Sequence, residues 1–187
     1  MRAIRRGASD VDLIAAIAAG DRSALGGLFD RYEPELRRYF GRLGVGASDA
    51  DDLVQATFLE IARAAARFDA SAPARGWVYG IATTMVRRHR RSVARFAAKL
   101  FAWGQVARVA AAPPPDENAE LERTVQKLSA ALGRMAPKKR EVFVLVALEG
   151  LSGDEVAKAL DVPINTVWTR LHHARRELRA ELEGGER

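Results

Sequence analysis

The stretch SDADDLVQATFLEIARA, residues 48–64, holds the first side chains whose types and spacing could do chemistry. Its four acids are Asp49, Asp51, Asp52 and Glu60. Carboxylate oxygens are the ligands that Mg²⁺ and Ca²⁺ prefer, so a metal-dependent nuclease is one interpretation. On a helix, however, Asp51 and Asp52 diverge by about 100°, and no histidine or further acid converges on them. We therefore expect neither a metal site nor catalytic residues here.

The remaining candidate metal ligands are His172 and His173, which are adjacent in sequence and therefore splayed on a helix. The chain has no cysteine, which excludes disulfides, thiolate zinc sites and thiol catalysis. It fits a reducing cytoplasm, and we expect a cytoplasmic protein that needs no cofactor. The apolar run near the N-terminus is interrupted by Asp10 and Asp12 and is too short to span a membrane. No later segment offers a span, so membrane insertion is not expected.

The balance of charge points to a polyanion as partner. The 187 residues include 30 Lys and Arg against 24 Asp and Glu, a formal net charge of +6. Only five of the basic residues are Lys, and Arg is the side chain suited to bidentate contacts with phosphate and guanine. Nucleic acid is the simplest such partner. An acidic helix head in so basic a chain is then either helix capping or a second contact surface.

The elements that would position these residues are helices. Apolar residues recur at helical spacing and no alternating strand pattern is present, so the fold is predicted to be all-α. A first helix is predicted to be capped near Ser9, and Pro34 is predicted to break or restart the second. A long helix is predicted over about 73–95, with proline in its first turn.

The chain is predicted to form two small helical domains joined by a flexible linker. Residues 96–120 contain small residues, a proline triplet and then acids, which is the composition of a linker. Beyond them a new apolar stripe begins with spacings of three and four. We therefore predict domains at 10–95 and 121–183.

The segment LEGLSGDEVAKALDVPINTVWTRLHHARREL predicts a helix-turn-helix. Ser152 and Glu155 are spaced as a capping box, DVP supplies a tight turn, and Asn165 is predicted to cap the second helix. One stripe of that helix is apolar and must face inward: Val167, Leu171, Ala174 and Leu178. The opposite face carries polar, aromatic and cationic side chains, namely Thr169, His172 and Arg176 flanked by Trp168, His173 and Arg175.

Such a face suits hydrogen bonds and apolar contacts to base edges in a major groove. The alternative is an ordinary helical hairpin with a solvated basic face. The capping signals favour DNA binding, because they fix the geometry independently of the charge.

The acidic helix divides into a core stripe and an outer face. Val54, Phe58, Ile61 and Ala65 share one wedge and are predicted to be buried. Ser48 and Asp51 are spaced as a capping box, and acids in a first turn also complement the helix dipole. Capping does not explain Leu53 and Leu59, which are predicted to face outward. Apolar groups rimmed by acids are typical of a protein interface.

The predicted long helix ends in cations. Trp77, Ile81 and Met85 are spaced to pack inward, while the last turns carry Arg87, Arg88, His89, Arg90 and Arg91. The helix dipole favours cations at this end, which is an ordinary explanation for part of the pattern. Several phosphate contacts here would give nucleic-acid binding with a steep salt dependence.

Two motifs, in order, resemble a known family. The segment PKKREVFVLVALEGLSGDEVAKALDVPINTVWTRLHHARREL is similar to region 4 of extracytoplasmic-function sigma factors of bacterial RNA polymerase, and the similarity covers about 121–183. DADDLVQATFLEIARAAARFD followed by RGWVYGIATTMVRRHRR is similar to their region 2, within about 10–95. Two such motifs in this order, with a linker between them, are far more specific than either alone.

The resemblance implies a promoter-specificity subunit without catalysis of its own. It implies core RNA polymerase and promoter DNA as partners, and an anti-sigma factor as a negative regulator. The implied polymerase contacts are Asp51, Asp52, Leu53, Gln55 and Leu59. The implied contacts to the promoter −10 element are Arg75, Trp77, Arg87, Arg88, Arg90 and Arg91. The implied contacts to the −35 element are Thr166, Trp168, Thr169, Arg170, His172, His173, Arg175 and Arg176.

Four positions depart from the family pattern. Trp168 stands where Lys or Arg is usual, and this ring is expected to stack or to touch a thymine methyl instead. Asn165 replaces a common Gly, Ala56 a usual Glu, and Thr84 a usual Asn. The alternative function is a free-standing helix-turn-helix regulator that binds duplex DNA without polymerase.

Overall fold

The computed structural model of the chain describes residues 7–102 and 119–183. Within these ranges it contains eight α-helices and no strand, which confirms the all-α prediction. The helices are α1 (Asp10–Ala18), α2 (Arg22–Arg42), α3 (Ala47–Ala64), α4 (Ala74–Ala102), α5 (Ala119–Arg134), α6 (Pro137–Phe143), α7 (Gly153–Leu160) and α8 (Ile164–Glu183). We call α1 to α4 the N-terminal half and α5 to α8 the C-terminal half.

A local capping signal determines where α1 begins, whereas tertiary packing outweighs the local effect of proline inside α2. The predicted cap at Ser9 is confirmed, and the structure adds a reciprocal capping box between Ser9 and Asp12. The predicted break at Pro34 is wrong, because α2 continues through it. Proline removes only one backbone donor, and buried Tyr32 and Leu36 hold the helix to the core on either side of it.

The predicted start of α3 is also wrong. The helix begins at Ala47 after Gly46, without a side-chain cap, so Ser48 lies inside its first turn. Asp51 forms an ion pair with Arg37 of α2 instead of closing a capping box. The predicted core stripe is confirmed, since Val54, Phe58, Ile61 and Ala65 are all buried.

The C-terminal half contains the predicted helix-turn-helix. After α6 the chain makes one π-helical turn, Val144–Leu148, in which the N–H of Glu149 donates to the Val144 carbonyl at 2.9 Å. The Ser152–Glu155 capping box at the start of α7 is confirmed. Asn165 does not cap α8, which begins one residue earlier. The reason is that the carbonyl of Pro163 already accepts the first bonds of α8, from the N–H groups of Thr166 and Val167 at 2.8 and 3.4 Å.

The two halves pack against each other and share one apolar core. The closest approach is between α4 and α7, where a Cβ placed on Gly80 would lie 3.0 Å from the carbonyl oxygen of Ala159. Helix α4 runs to Ala102, beyond its predicted end near 95, so the start of the predicted linker is helical. Residues 103–118 of that linker lie outside the described ranges, and the domain boundaries stay a prediction.

No helix within the described ranges is long and apolar enough to cross a membrane.

Candidate functional site

Helix α8 presents the polar and cationic face that its sequence predicts. Its inward stripe is buried at Val167, Leu171 and Ala174, while Leu178 is half-buried. The opposite side chains are exposed at Trp168, Thr169, His172, Arg175 and Arg176. Those at Thr166, Arg170 and His173 are half-buried. The stripe anchors α8 on α6 and α7, so the exposed face, which we call the α8 outer face, is held by a rigid frame.

The α8 outer face combines three kinds of recognition chemistry. The Thr169 hydroxyl donates to the Asn165 carbonyl at 2.8 Å, which orients it and leaves its lone pairs as acceptors. The rings of His172 and His173 meet edge to face with centroids 5.7 Å apart. The Trp168 side chain is 47% exposed and apolar. With guanidinium groups beside them, these side chains can donate, accept and make apolar contacts.

The surface of α3 differs from the predicted one at Leu53. That side chain is only 7% exposed, so the prediction that it faces outward is wrong. The buried positions of α3 run from Ala50 to Ile61 and at 100° per residue cover an arc of about 140°, much wider than one stripe. The reason is that α3 packs against both α2 and α4, and Leu53 lies at the edge of that arc.

What remains outside on α3 is a compact face of mixed character. Leu59 is 57% exposed, and Asp52 and Gln55 beside it are also exposed. Asp51 lies at the rim in its ion pair with Arg37. We call Asp51, Asp52, Gln55 and Leu59 the α3 docking face. An exposed apolar centre with an acidic rim suits a basic, partly apolar protein surface.

Two of the α4 arginines are held by a carboxylate of the C-terminal half. Glu141 is 2% exposed, and one of its oxygens accepts from Nη2 of Arg87 at 2.8 Å. The other lies 3.8 Å from Nη1 of Arg90, whose Nη2 donates to the Leu43 carbonyl. Arg140 also donates to that carbonyl, at 2.9 Å. Both Arg87 and Arg90 were predicted to contact DNA, but here they join the two halves.

A second buried carboxylate makes a similar junction. Glu149 accepts from Nη1 of Arg42 at 2.6 Å and from the Tyr79 hydroxyl at 2.7 Å. Nη1 of Arg75 donates to the Glu149 carbonyl at 2.7 Å, and its Nη2 donates to Glu35 at 3.2 Å. Burial, followed by the hydrogen bond to Glu149, raises the pKa of Tyr79 well above its usual value, so the hydroxyl stays a donor.

The other predicted −10 residues lie around this junction. Arg88 and Arg91 are exposed on α4. Trp77 is half-buried, with its ring centroid 5.0 Å from that of Phe68. It lines a groove of about 320 Å³ between α4 and α7, together with Ile81 and Met85.

Glu141 and Glu149 were not recognised from the sequence. The available signal was their position at the two ends of the apolar run VFVLVAL, where a carboxylate is drawn into the core and must be paired. Among the residues that the structure describes, no group of three or more His, Cys, Asp or Glu could hold a metal ion.

Each half of the chain matches a known family model. Residues 28–96 match the family model for Sigma-70 region 2, and residues 125–178 match the model for Sigma-70, region 4. The chain is 30% identical over 185 residues to the RNA polymerase sigma factor CnrH of Cupriavidus metallidurans, covering 94% of this chain and 95% of that one. It is 31% identical over 171 residues to the ECF RNA polymerase sigma factor SigL of Mycobacterium tuberculosis, covering 91% and 95%.

The fold is shared as well. The structure of CnrH in complex with the cytosolic domain of CnrY matches with a TM-score of 0.70 at 27% identity, over 94% of this chain and 97% of that one. Both region models match in the order that the sequence motifs indicate, and the likeness to CnrH extends over nearly the whole chain. The chain therefore belongs to the sigma-70 family, among the extracytoplasmic-function sigma factors of RNA polymerase.

Proposed function

We propose that this sigma factor joins core RNA polymerase to promoters by using the α3 docking face for polymerase, the α8 outer face for the −35 duplex and α4 for melted −10 DNA. The observation that carries the proposal is that one chain exposes two chemically different surfaces on its two halves. A free-standing helix-turn-helix regulator needs only the cationic one. Duplex binding alone assigns no role to the exposed Leu59 and its acidic rim.

The −35 contacts are proposed for the α8 outer face because it supplies donors, acceptors and an apolar ring on a rigid helix. In this proposal Thr169, His172 and Trp168 meet base edges, while Arg175 and Arg176 meet phosphates. The half-buried side chains of Thr166, Arg170 and His173 border the same surface.

The −10 contacts need a change of partners on α4. Arg88 and Arg91 are exposed and can meet phosphates directly. Arg75, Arg87 and Arg90 have partners in the closed arrangement, so they reach DNA only when the C-terminal half moves away. We propose that binding to polymerase separates the halves and that DNA phosphates then replace Glu141 as the partner of Arg87 and Arg90.

A protein regulator of this chain is also proposed. CnrH has been seen in complex with the cytosolic domain of CnrY, and the family resemblance implies an anti-sigma factor. Such a regulator would cover the α3 docking face or stabilise the closed arrangement. We expect the protein to act in the cytoplasm and to leave the chemistry of RNA synthesis to polymerase.

Run-off transcription with purified core polymerase, with and without this chain, tests the proposal on fragments that include the region upstream of its own gene. Specific transcripts are expected only with both components. Leu59→Ala should reduce core affinity, whereas Val93→Ala, which truncates another exposed aliphatic side chain, should leave it unchanged.

Two outcomes would overturn the assignment. Tight, specific duplex binding by the chain alone, without any transcript when polymerase is added, would favour the free-standing regulator. Metal-dependent DNA cleavage that is lost in Asp52→Ala would favour the nuclease.

A further inference from the structure

The indole of Trp168 rests on a glycine of the neighbouring helix. A Cβ placed on Gly153 would lie 2.4 Å from Cζ2 of Trp168, 2.8 Å from Cη2 and 3.1 Å from Cε2. Non-bonded carbon atoms do not approach each other so closely. The ring therefore occupies the space that the Cβ of any other residue at position 153 would need. Gly153 is buried beneath the ring, while Trp168 itself is 47% exposed. One edge of the indole is seated and the rest faces solvent.

The backbone does not require glycine at this position. Gly153 is the first residue of α7, and its φ lies outside the left-handed range that favours glycine. Glycine is among the weakest helix formers, so at a position with ordinary helical geometry alanine would be the better residue. The space needed by the Trp168 ring is the feature of the structure that accounts for glycine here.

The contact with Gly153 restricts the rotamers of the Trp168 side chain. A tryptophan on an exposed helix face can occupy several rotamers, but the contact with Gly153 holds this one against the first helix of the helix-turn-helix. A group held in one orientation loses little conformational entropy on binding, and its contact geometry is reproducible. An exposed, fixed, apolar ring on a face of cations is suited to selective contact.

We propose that Gly153 is a positioning residue for Trp168 and that the seated indole selects a thymine in the −35 element through its C5-methyl group. The inference rests on the proposed function, because it assumes that the α8 outer face lies in a major groove. The thymine methyl is the apolar group that a major groove displays, and indole offers an apolar surface with one donor and no acceptor. Stacking is not available there, because the bases of a duplex are already stacked.

The experiment is a selection with holoenzyme from duplex DNA containing a long randomised segment, followed by sequencing. Wild-type chain, Gly153→Ala, Trp168→Ala and Gly133→Ala are compared. Gly133 is the matched control, since it is a helical glycine of the same half and a Cβ there meets nothing within 4 Å. Thermal unfolding of each variant is measured in parallel. Gly153→Ala is expected to fold, because its added methyl group meets the movable end of a side chain.

In the expected result, wild type and Gly133→Ala prefer thymine at one position of the selected −35 motif. Gly153→Ala and Trp168→Ala lose that preference and keep the others. Replacing this thymine by deoxyuridine, which removes only the methyl group, should weaken wild-type holoenzyme binding by about fourfold, the factor expected for one methyl group taken out of water. Binding of Gly153→Ala holoenzyme should not respond to that replacement.

Identical base preferences in wild type and Gly153→Ala would overturn the inference, and so would an equal weakening at every position, which would indicate a merely structural role. Both results leave the proposed function intact, since a motif is still selected. A wild-type holoenzyme that selects no motif at all would count against the proposed function itself.

Discussion

Removing the charge of Glu141 should open the closed arrangement of the two halves. Glu141→Gln keeps the size and shape of the side chain but removes the negative charge that Arg87 and Arg90 share. Glu141 is 2% exposed, so water hydrates its carboxylate very little. The two arginine side chains are 33% and 28% exposed and can be solvated. The substitution therefore mainly weakens the interactions of Arg87 and Arg90 with residue 141, which join the two halves.

The magnitude follows from these contacts. Breaking a fully buried ion pair costs about 3–5 kcal/mol, and a hydrogen bond to a charged group contributes about 1.5–3 kcal/mol. Because both arginines are partly solvated, we expect a cost in the range of the hydrogen bond, about 2 kcal/mol. This cost shifts the ratio of closed to open molecules by about thirtyfold. Two freed arginines can each neutralise a phosphate, so the salt slope for single-stranded DNA should steepen by about 1.4.

Two measurements check this expectation. The chain has no cysteine, so Ala62→Cys and Ala180→Cys, at exposed positions in the two halves, allow specific labelling with two dyes. Energy transfer between the dyes then reports the distance between the halves. Anisotropy of labelled single-stranded DNA over a series of salt concentrations gives the slope. Glu181→Gln is the matched control, because it makes the same change in net charge at an exposed pair with Arg134. If Glu141→Gln and Glu181→Gln behave alike in both measurements, the reasoning is refuted.

Three further perturbations test other contacts. Leu53→Ala should lower the free energy of unfolding by about 2–5 kcal/mol, whereas Leu59→Ala should leave it nearly unchanged and weaken core binding; equal effects on unfolding would contradict the assigned burial. Gly80→Ala should increase the distance between the halves in the energy-transfer assay, since its Cβ meets the Ala159 backbone, while Gly26→Ala, with open space around it, should not. The phenols of all three tyrosines have pKa values raised mainly by burial: Tyr32, Tyr39 and Tyr79. Their stabilising contribution is complete below the unfolded value of about 10 and is lost as pH rises towards the higher folded values. Ultraviolet titration should show tyrosinate only as the protein unfolds; ionisation near pH 10 in the folded chain would contradict the burial.

The sequence predicted the parts of the fold that depend on neighbours along the chain. The cap at Ser9 and the Ser152–Glu155 box use only residues within three positions, so one short segment determines each of them. Periodicity likewise identified the core stripes of α3 and α8. The helix-turn-helix and its exposed face could therefore be predicted from the amino-acid sequence alone.

The errors occur where distant residues decide. Leu53 was assigned to the surface because the pattern of one helix does not reveal how many neighbours cover it. Pro34 was assigned a break because the core that holds α2 on both sides is not visible locally. Asp51 was assigned a capping role, but Arg37 on another helix takes its carboxylate. Each of these outcomes depends on tertiary contacts that local rules cannot include.

Tertiary contacts that local rules do not include also explain why the partners of the α4 arginines were not predicted from the sequence. Their cluster predicts contacts with phosphates, but the sequence does not show that Glu141, 54 residues from Arg87, is a partner of these side chains in this arrangement. A guanidinium donates to a carboxylate or to a phosphate in the same bidentate geometry, so the proposed opening would exchange one charged partner for another. The α3 docking face and the α8 outer face are already exposed in the closed arrangement. Under the proposed function, polymerase would engage the closed chain first, and the arginines would become available to melted DNA only after the halves have separated.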